Sequence, residues 1–137
     1  MKYAVATILC VMLATACSNA RAPLVATDIS IARPKPGMQM TAAYLTLTNN
    51  TSQQITITEV TSPEFDAVQM HESVVADGIA RMRRLDEVTV LPGGSVVFER
   101  GAKHLMLMQP TRESDTVTLE FIAGDAVMLN INVALTD

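Results

Sequence analysis

The sequence has no tryptophan and very little cysteine. Its two cysteines are Cys10 and Cys17, so the chain after residue 17 carries no thiol. A disulfide, a thiolate nucleophile and a zinc-finger-type site are therefore excluded from that part of the chain. A blue-copper electron carrier is excluded too, because its metal needs a thiolate beside two histidines. A domain without these devices depends on its apolar core for stability.

The sequence also lacks an apolar run long enough to cross a bilayer, which takes about 20 residues. Its longest such run covers residues 4–16, follows Lys2 and precedes small residues. This pattern is typical of a secretory signal, and we predict a signal peptide over residues 1–22. A short buried N-terminal helix is the alternative, but nothing amphipathic follows it. Export implies the periplasm.

The cleavage point is open. Residues 14–16 before Cys17 are similar to a bacterial lipobox, although Ala14 replaces the usual Leu, Val or Ile. Cleavage there would make Cys17 the lipid-bearing first residue, and we expect this anchor to be the only membrane attachment. Cleavage by an ordinary peptidase after Ala16, Ala20 or Ala22 would instead release the protein.

Positive charge is scarce, with ten Lys and Arg against fourteen Asp and Glu, a net charge of −4. A nucleic-acid partner is not expected, because it would require a basic surface. The local exception is the trio Arg81, Arg83 and Arg84. These arginines either solvate a strand edge or meet an acidic partner.

Helical periodicity is absent as well, and short alternating runs take its place. Ala43, Leu45 and Leu47 alternate with polar neighbours, as in a half-buried strand. Similar runs recur about every ten residues, separated by turn signals. Residues 91–95 predict a hairpin turn, and Gly124-Asp125 predicts a further turn. This spacing predicts an all-β fold, an antiparallel sandwich or barrel forming one domain over residues 23–137.

The two histidines of the chain both have methionines at short distances. Ten residues separate His71 from Met82, twenty-one separate Met82 from His104, and Leu105 alone separates His104 from Met106. Two imidazoles and two thioethers form a soft, neutral donor set, which suits Cu(I). Taken singly, each residue is more often an ordinary surface or core residue.

Strand geometry offers a way to bring these residues together in pairs. On one strand, His104 and Met106 share a face, and Leu105 and Leu107 point to the core. We expect the two donors at a surface or rim. A hairpin with a four-residue loop over residues 75–78 would place His71 directly opposite Met82. Local geometry does not say whether the two pairs meet.

The four residues and their spacing resemble the copper-binding signature of the PCu(A)C family of periplasmic copper chaperones. The similarity extends over nearly the whole chain after the signal: Pro36-Gly37, residues 42–47 with Asn49, His71-Glu72, Met82-Arg83, Leu91-Pro92 and Gly101. The chain departs from the family in having no tryptophan, in Ala102 where a second glycine is common, and in lacking a Met/His-rich tail.

The resemblance implies a cupredoxin-like, Greek-key β-barrel with Cu(I) held by His71, Met82, His104 and Met106. Met70 and Met108 would be additional thioethers near the site. It also implies a monomer that is not an enzyme and that delivers copper to an accepting protein, either a cytochrome c oxidase subunit or another copper-delivery protein. The alternative function is a metal-free β-sandwich module of the envelope, serving binding or scaffolding.

Overall fold

The computed structural model describes residues 21–137. The predicted signal segment through residue 20, including Cys17, lies outside the described residues. The described chain forms eleven strands. They are β1 Leu24–Ile31, β2 Met40–Asn49, β3 Ile55–Ile57, β4 Glu59–Thr61, β5 Phe65–Ala76, β6 Ile79–Leu85, β7 Val88–Val90, β8 Ser95–Phe98, β9 Lys103–Pro110, β10 Thr116–Ala123 and β11 Ala126–Ala134. Within residues 21–137 there is no helix of the length and apolarity that crossing a membrane requires.

The strands form three sheets, and every strand pairs with its sheet neighbours in antiparallel fashion. The largest sheet has the order β1-β2-β9-β5-β6, and β8 also pairs with β2. The other two sheets have the orders β11-β10-β4 and β3-β7. The predicted all-β, antiparallel fold class is therefore confirmed.

Strand β2 shows how the sequence pattern builds the core. Ala43, Leu45 and Leu47 are buried, and the polar residues between them are only half-buried. The same alternation on β9 and β10 contributes further buried leucines to one hydrophobic cluster. All three phenylalanines of the chain, Phe65, Phe98 and Phe121, are buried. Each large apolar side chain buried in this way contributes about 1.5–3 kcal/mol relative to exposure.

Two of the predicted turns have different roles in the fold. Gly124-Asp125 joins β10 to β11 as a hairpin, with Ala123 paired to Ala126. The turn over residues 91–95 is present too, and its Gly94 N–H donates to the Leu91 carbonyl at 2.9 Å. A hairpin was predicted there, and this prediction is wrong: β7 pairs with β3, whereas β8 pairs with β2. The turn carries the chain from one sheet to another.

Candidate metal centre

The two histidines are direct neighbours across strands β5 and β9, where His71 pairs with His104. Their ring centroids are 5.8 Å apart, and the ring planes meet at 71° in an edge-to-face arrangement. Strand alternation explains the common face. Met70 and Leu105, adjacent in sequence to the two histidines, pair with each other and fill the core on the opposite side of the sheet.

Met106 lies on the histidine face, because it is two residues beyond His104 on the same strand. It pairs directly with Gln69, so it is a diagonal neighbour of His71. The expectation that Leu105 and its neighbour Leu107 face the core is confirmed. His104, which was expected at a surface or rim, does not lie at the surface, because the residue is only 5% exposed. Strand β9 is an interior strand between β2 and β5, and not an edge of the sheet.

Met82 is on the same face but not at the predicted pairing position. The β5–β6 turn contains only Asp77 and Gly78, so Ala76 pairs with Ile79 and Met82 pairs with Ser73. The predicted four-residue loop is therefore wrong. The register differs by two residues, so Met82 keeps its face. As a diagonal neighbour of His71 it lies at a distance of about 7–8 Å, and it is 52% exposed.

The two additional methionines lie on opposite sides of the sheet. Met70 is buried among core residues on the face away from the histidines, so the expectation that it assists the site is wrong. Met108 shares the face of Met106 and pairs with Met40 on β2. Of the two, only Met108 is placed near the candidate donors.

In each imidazole ring one nitrogen has a hydrogen-bond partner within the protein. His71 Nε2 lies 2.9 Å from Gln69 Oε1, and His104 Nδ1 lies 3.2 Å from the Ala102 carbonyl oxygen. His71 Nδ1 is buried and has no hydrogen-bond partner among the described residues. A buried polar atom without a partner is costly. An incoming cation would satisfy it, so this donor set fits a metal ion.

Nearly the whole described part of the chain matches a protein family. The family model described as "Putative lipoprotein LpqE-like" matches residues 19–135. The chain belongs to the LpqE-like family. The family description indicates an exported protein of the cell envelope.

Solved structures similar to this LpqE-like chain confirm the predicted cupredoxin-like fold and the PCu(A)C resemblance. The copper-bound PCuAC domain from PmoF2 has a TM-score of 0.66 at 17% identity, over 82% of this chain and 92% of that one. The solution structure of CuI-DR1885 from Deinococcus radiodurans has a TM-score of 0.65 at 27% identity, over 88% and 82%.

A curated relative of the LpqE-like chain is the Rickettsia prowazekii (strain Madrid E) protein RP573, 24% identical over 100 residues. The matched region is 70% of this chain and 55% of the relative. This chain therefore spans about half the length of that protein.

Burial sets the protonation state of His71 in the LpqE-like chain. Burial lowers its pKa below 6.5, and electrostatic interactions with His104 and with the Arg84 guanidinium lower the pKa further. Arg84 pairs with His71 across β5 and β6, which puts it on the same face. His71 is therefore neutral at neutral pH, and a neutral imidazole is the form that binds a metal.

Glu72 links the three strands that carry the candidate donors. Its carboxylate accepts hydrogen bonds from Lys103 at 2.9 Å and from Arg83 at 2.7 Å, on β9 and β6. These two cations, Lys103 first, lower the pKa of Glu72. Glu72 follows His71 in sequence and thus lies on the other face of the sheet. The bridge holds the strands together without occupying the donor face.

Sequence reasoning missed the roles of Gln69 and Glu72. Gln69 is two residues before His71, so strand alternation alone would have placed it on the same face. The bridging role of Glu72 depends on the pairing of three strands, and no local sequence pattern reveals that pairing. Within residues 21–137, no group of three or more His, Cys, Asp or Glu side chains is placed to hold an ion.

Proposed function

We propose that this protein is a periplasmic copper chaperone that binds one Cu(I) through His71, His104, Met106 and Met82. It would pass the ion to a copper-accepting protein, such as a cytochrome c oxidase subunit or another copper-delivery protein. The observation that carries the proposal is the facing histidine pair with its unpartnered buried nitrogen, beside thioethers on the same face. The copper-bound PCuAC and CuI-DR1885 relatives support it.

The chemistry of the donors supports a monovalent copper cargo. Thioether sulfur and imidazole nitrogen are soft donors that favour Cu(I), whereas carboxylates favour Ca²⁺ and Mg²⁺. A neutral set leaves the charge of the ion uncompensated. The protein would therefore hold copper by covalent character in the metal–ligand bonds, and an acceptor with comparable donors could compete for it.

Differences in exposure support a direction for copper release. His104 is buried on an interior strand, whereas Met82 is on the edge strand β6 and half exposed. We propose that Met82 is the first donor that an acceptor replaces. The other three donors would retain the ion until the new bond has formed.

Copper retention against a chromogenic Cu(I) chelator under reducing conditions tests this function. The parent is expected to hold one equivalent. His71→Ala and Met106→Ala are expected to lose copper to the chelator at concentrations at which the parent retains it. Met128→Leu, a methionine of the other sheet, is the matched control and should behave as the parent.

Two outcomes would contradict the proposal in different ways. If the parent retained no copper, the metal-free envelope module would be the better function. If the parent bound one equivalent and His71→Ala retained it equally well, copper binding would stand and the assigned donors would be wrong.

A further inference from the structure

The hydrogen bond between Gln69 and His71 determines which nitrogen of His71 is free. We propose that Gln69 is a positioning residue that holds His71 as the Nε2–H tautomer. Nδ1 of His71 and Nε2 of His104 would then be the two nitrogens that face the cargo. This inference deepens the proposed function and rests on it.

The position of Gln69 supports this role. It lies two residues before His71 on β5 and directly opposite Met106 on β9, so it shares the donor face with both. Its Oε1 is 2.9 Å from His71 Nε2. An amide oxygen can only accept a hydrogen bond, so Nε2 carries the proton and Nδ1 keeps its lone pair.

The opposite tautomer is disfavoured by burial. A proton on His71 Nδ1 would bury an N–H group, because this atom is buried and has no partner among residues 21–137. A buried donor without an acceptor is a rare and costly arrangement in proteins. A bare Nδ1 lone pair, by contrast, is the group that a metal ion uses.

His104 presents the other nitrogen of its ring. Its Nδ1 lies 3.2 Å from the Ala102 carbonyl oxygen, which can only accept, so Nδ1 carries the proton and Nε2 is free. The two imidazole rings are thus oriented by different hydrogen-bond acceptors, a side-chain amide for His71 and a backbone carbonyl for His104. Such partners fix the tautomer and the orientation of histidine ligands.

The uncharged amide of Gln69 also has a consequence for selectivity. Its oxygen accepts the hydrogen bond from His71 Nε2–H without adding a negative charge to a neutral donor set. A carboxylate in its place could accept the same hydrogen bond but would also attract divalent ions. Gln69→Glu is therefore expected to keep the tautomer, whereas Gln69→Met removes the acceptor at similar size.

Long-range ¹⁵N–¹H correlation NMR of the metal-free protein, labelled with ¹⁵N-histidine and recorded near pH 8, tests the tautomers directly. The parent should show His71 protonated at Nε2 and His104 protonated at Nδ1. In Gln69→Met the His71 signals should move toward a mixture of tautomers. Gln69→Glu and the matched control Ser73→Ala, on the other side of His71 on β5, should retain the parent pattern.

Binding measurements extend the test to the cargo. On addition of Ag(I), a redox-inert substitute for Cu(I), Nδ1 of His71 and Nε2 of His104 should be the nitrogens whose signals shift. Cu(I) retention should weaken about ten-fold or more in Gln69→Leu, which removes the acceptor without adding a thioether to the donor face. His104 should keep its tautomer in every Gln69 variant.

The outcomes separate this inference from the proposed function. If His71 were protonated at Nδ1 in the metal-free parent, the inference would be overturned, whether or not the protein binds copper. This result needs only the parent, so it stands even if Gln69→Met does not fold. An unchanged His71 tautomer in folded Gln69→Met would overturn the role of Gln69. A parent with the expected tautomers that bound neither Ag(I) nor Cu(I) would instead contradict the proposed function.

Discussion

Asn49 is a buried polar residue whose side-chain hydrogen bonds connect three parts of the fold. Its side chain is fully buried, yet every amide group has a partner. Nδ2 donates to the carbonyls of Gln53 and Val90, and Oδ1 accepts from the backbone N–H and the hydroxyl of Thr51. The residue thereby joins the end of β2 to the following turn and to β7.

Asn49→Asp should destabilise the fold by about 2–4 kcal/mol, because the new oxygen would face two carbonyl oxygens in a buried position. Urea unfolding followed by circular dichroism measures the change. Asn132→Asp is the control, because the side chain of Asn132 is exposed and donates to the Thr118 hydroxyl. We expect its free energy of unfolding to stay within about 0.5 kcal/mol of the parent. Equal stability of Asn49→Asp and the parent would show that this network is unimportant.

Glu64 is a buried carboxylate that should make the stability depend on pH. Burial alone would raise its pKa, but the Thr118 N–H, Arg112 and the Ser62 hydroxyl together hold the pKa below 4.5. A carboxylate with a lowered pKa in the folded state stabilises the protein above its unfolded-state pKa. That contribution is lost as the pH falls through the folded-state pKa.

The free energy of unfolding should therefore fall as the pH is lowered below about 4.5, and Glu64→Gln should reduce this fall. At pH 7, Glu64→Gln should cost about 1–3 kcal/mol, since buried donors lose a charged acceptor. Urea midpoints between pH 7 and pH 3 measure both effects. The exposed Glu59→Gln is the control, and a Glu64→Gln profile parallel to that of the parent would contradict the assignment.

At the scale of elements, the β5–β6 hairpin depends on its two-residue turn. Asp77 and Gly78 have φ values of 54° and 74°, both in the left-handed region. The Asp-Gly pair is typical of the tight type I′ turn. This turn places Met82 opposite Ser73, so the position of one candidate donor depends on two residues at the tip of the hairpin.

Gly78→Val should weaken the hairpin, because a β-branched residue at this φ costs about 1–2 kcal/mol. Amide hydrogen exchange of residues 79–85 should accelerate about ten-fold or more, whereas exchange in β10 and β11 should stay as in the parent. Asp77→Asn, which tolerates the same backbone conformation, is the control. Unchanged protection of β6 in Gly78→Val would show that the Glu72 bridge and strand pairing suffice.

The hairpin also illustrates where prediction from sequence ends. The alternation of residue types correctly indicated which side chains of β9 face the core, because side-chain direction along a strand is a local property. The β5–β6 hairpin itself was predicted, but its register was wrong, because loops of two and of four residues both place Asp77-Gly78 in the turn and leave the alternation along the strands unchanged. Only the turn geometry decides between them.

At the scale of the whole molecule, the candidate donors lie on three neighbouring strands of one sheet, the β5–β6 hairpin and the strand β9, which comes later in the chain. An ion that binds all of them would bind the folded state and not the unfolded chain. Metal binding and folding stability should therefore be linked.

Ag(I) at about one hundred times its Kd should stabilise the fold by about 2.7 kcal/mol. For a domain of this size, this corresponds to a rise in Tm of roughly 10 °C. Differential scanning fluorimetry measures the shift. The double variant His71→Ala/His104→Ala should lose most of it, whereas Met128→Leu should keep it; an equal shift in the double variant would place the ion elsewhere.

The sequence by itself determined the all-β class and which residues of a strand such as β9 face the core, because alternation is local. The four candidate donors came from residue chemistry together with the family resemblance. Only the tertiary structure decided that His71 lies beside His104, that His104 is buried, that the Gln69 amide oxygen lies at hydrogen-bond distance from the His71 ring, and that Met70 lies on the other face. These features depend on strand order and register. The packing of the whole core sets both, and no local segment of the chain contains that information.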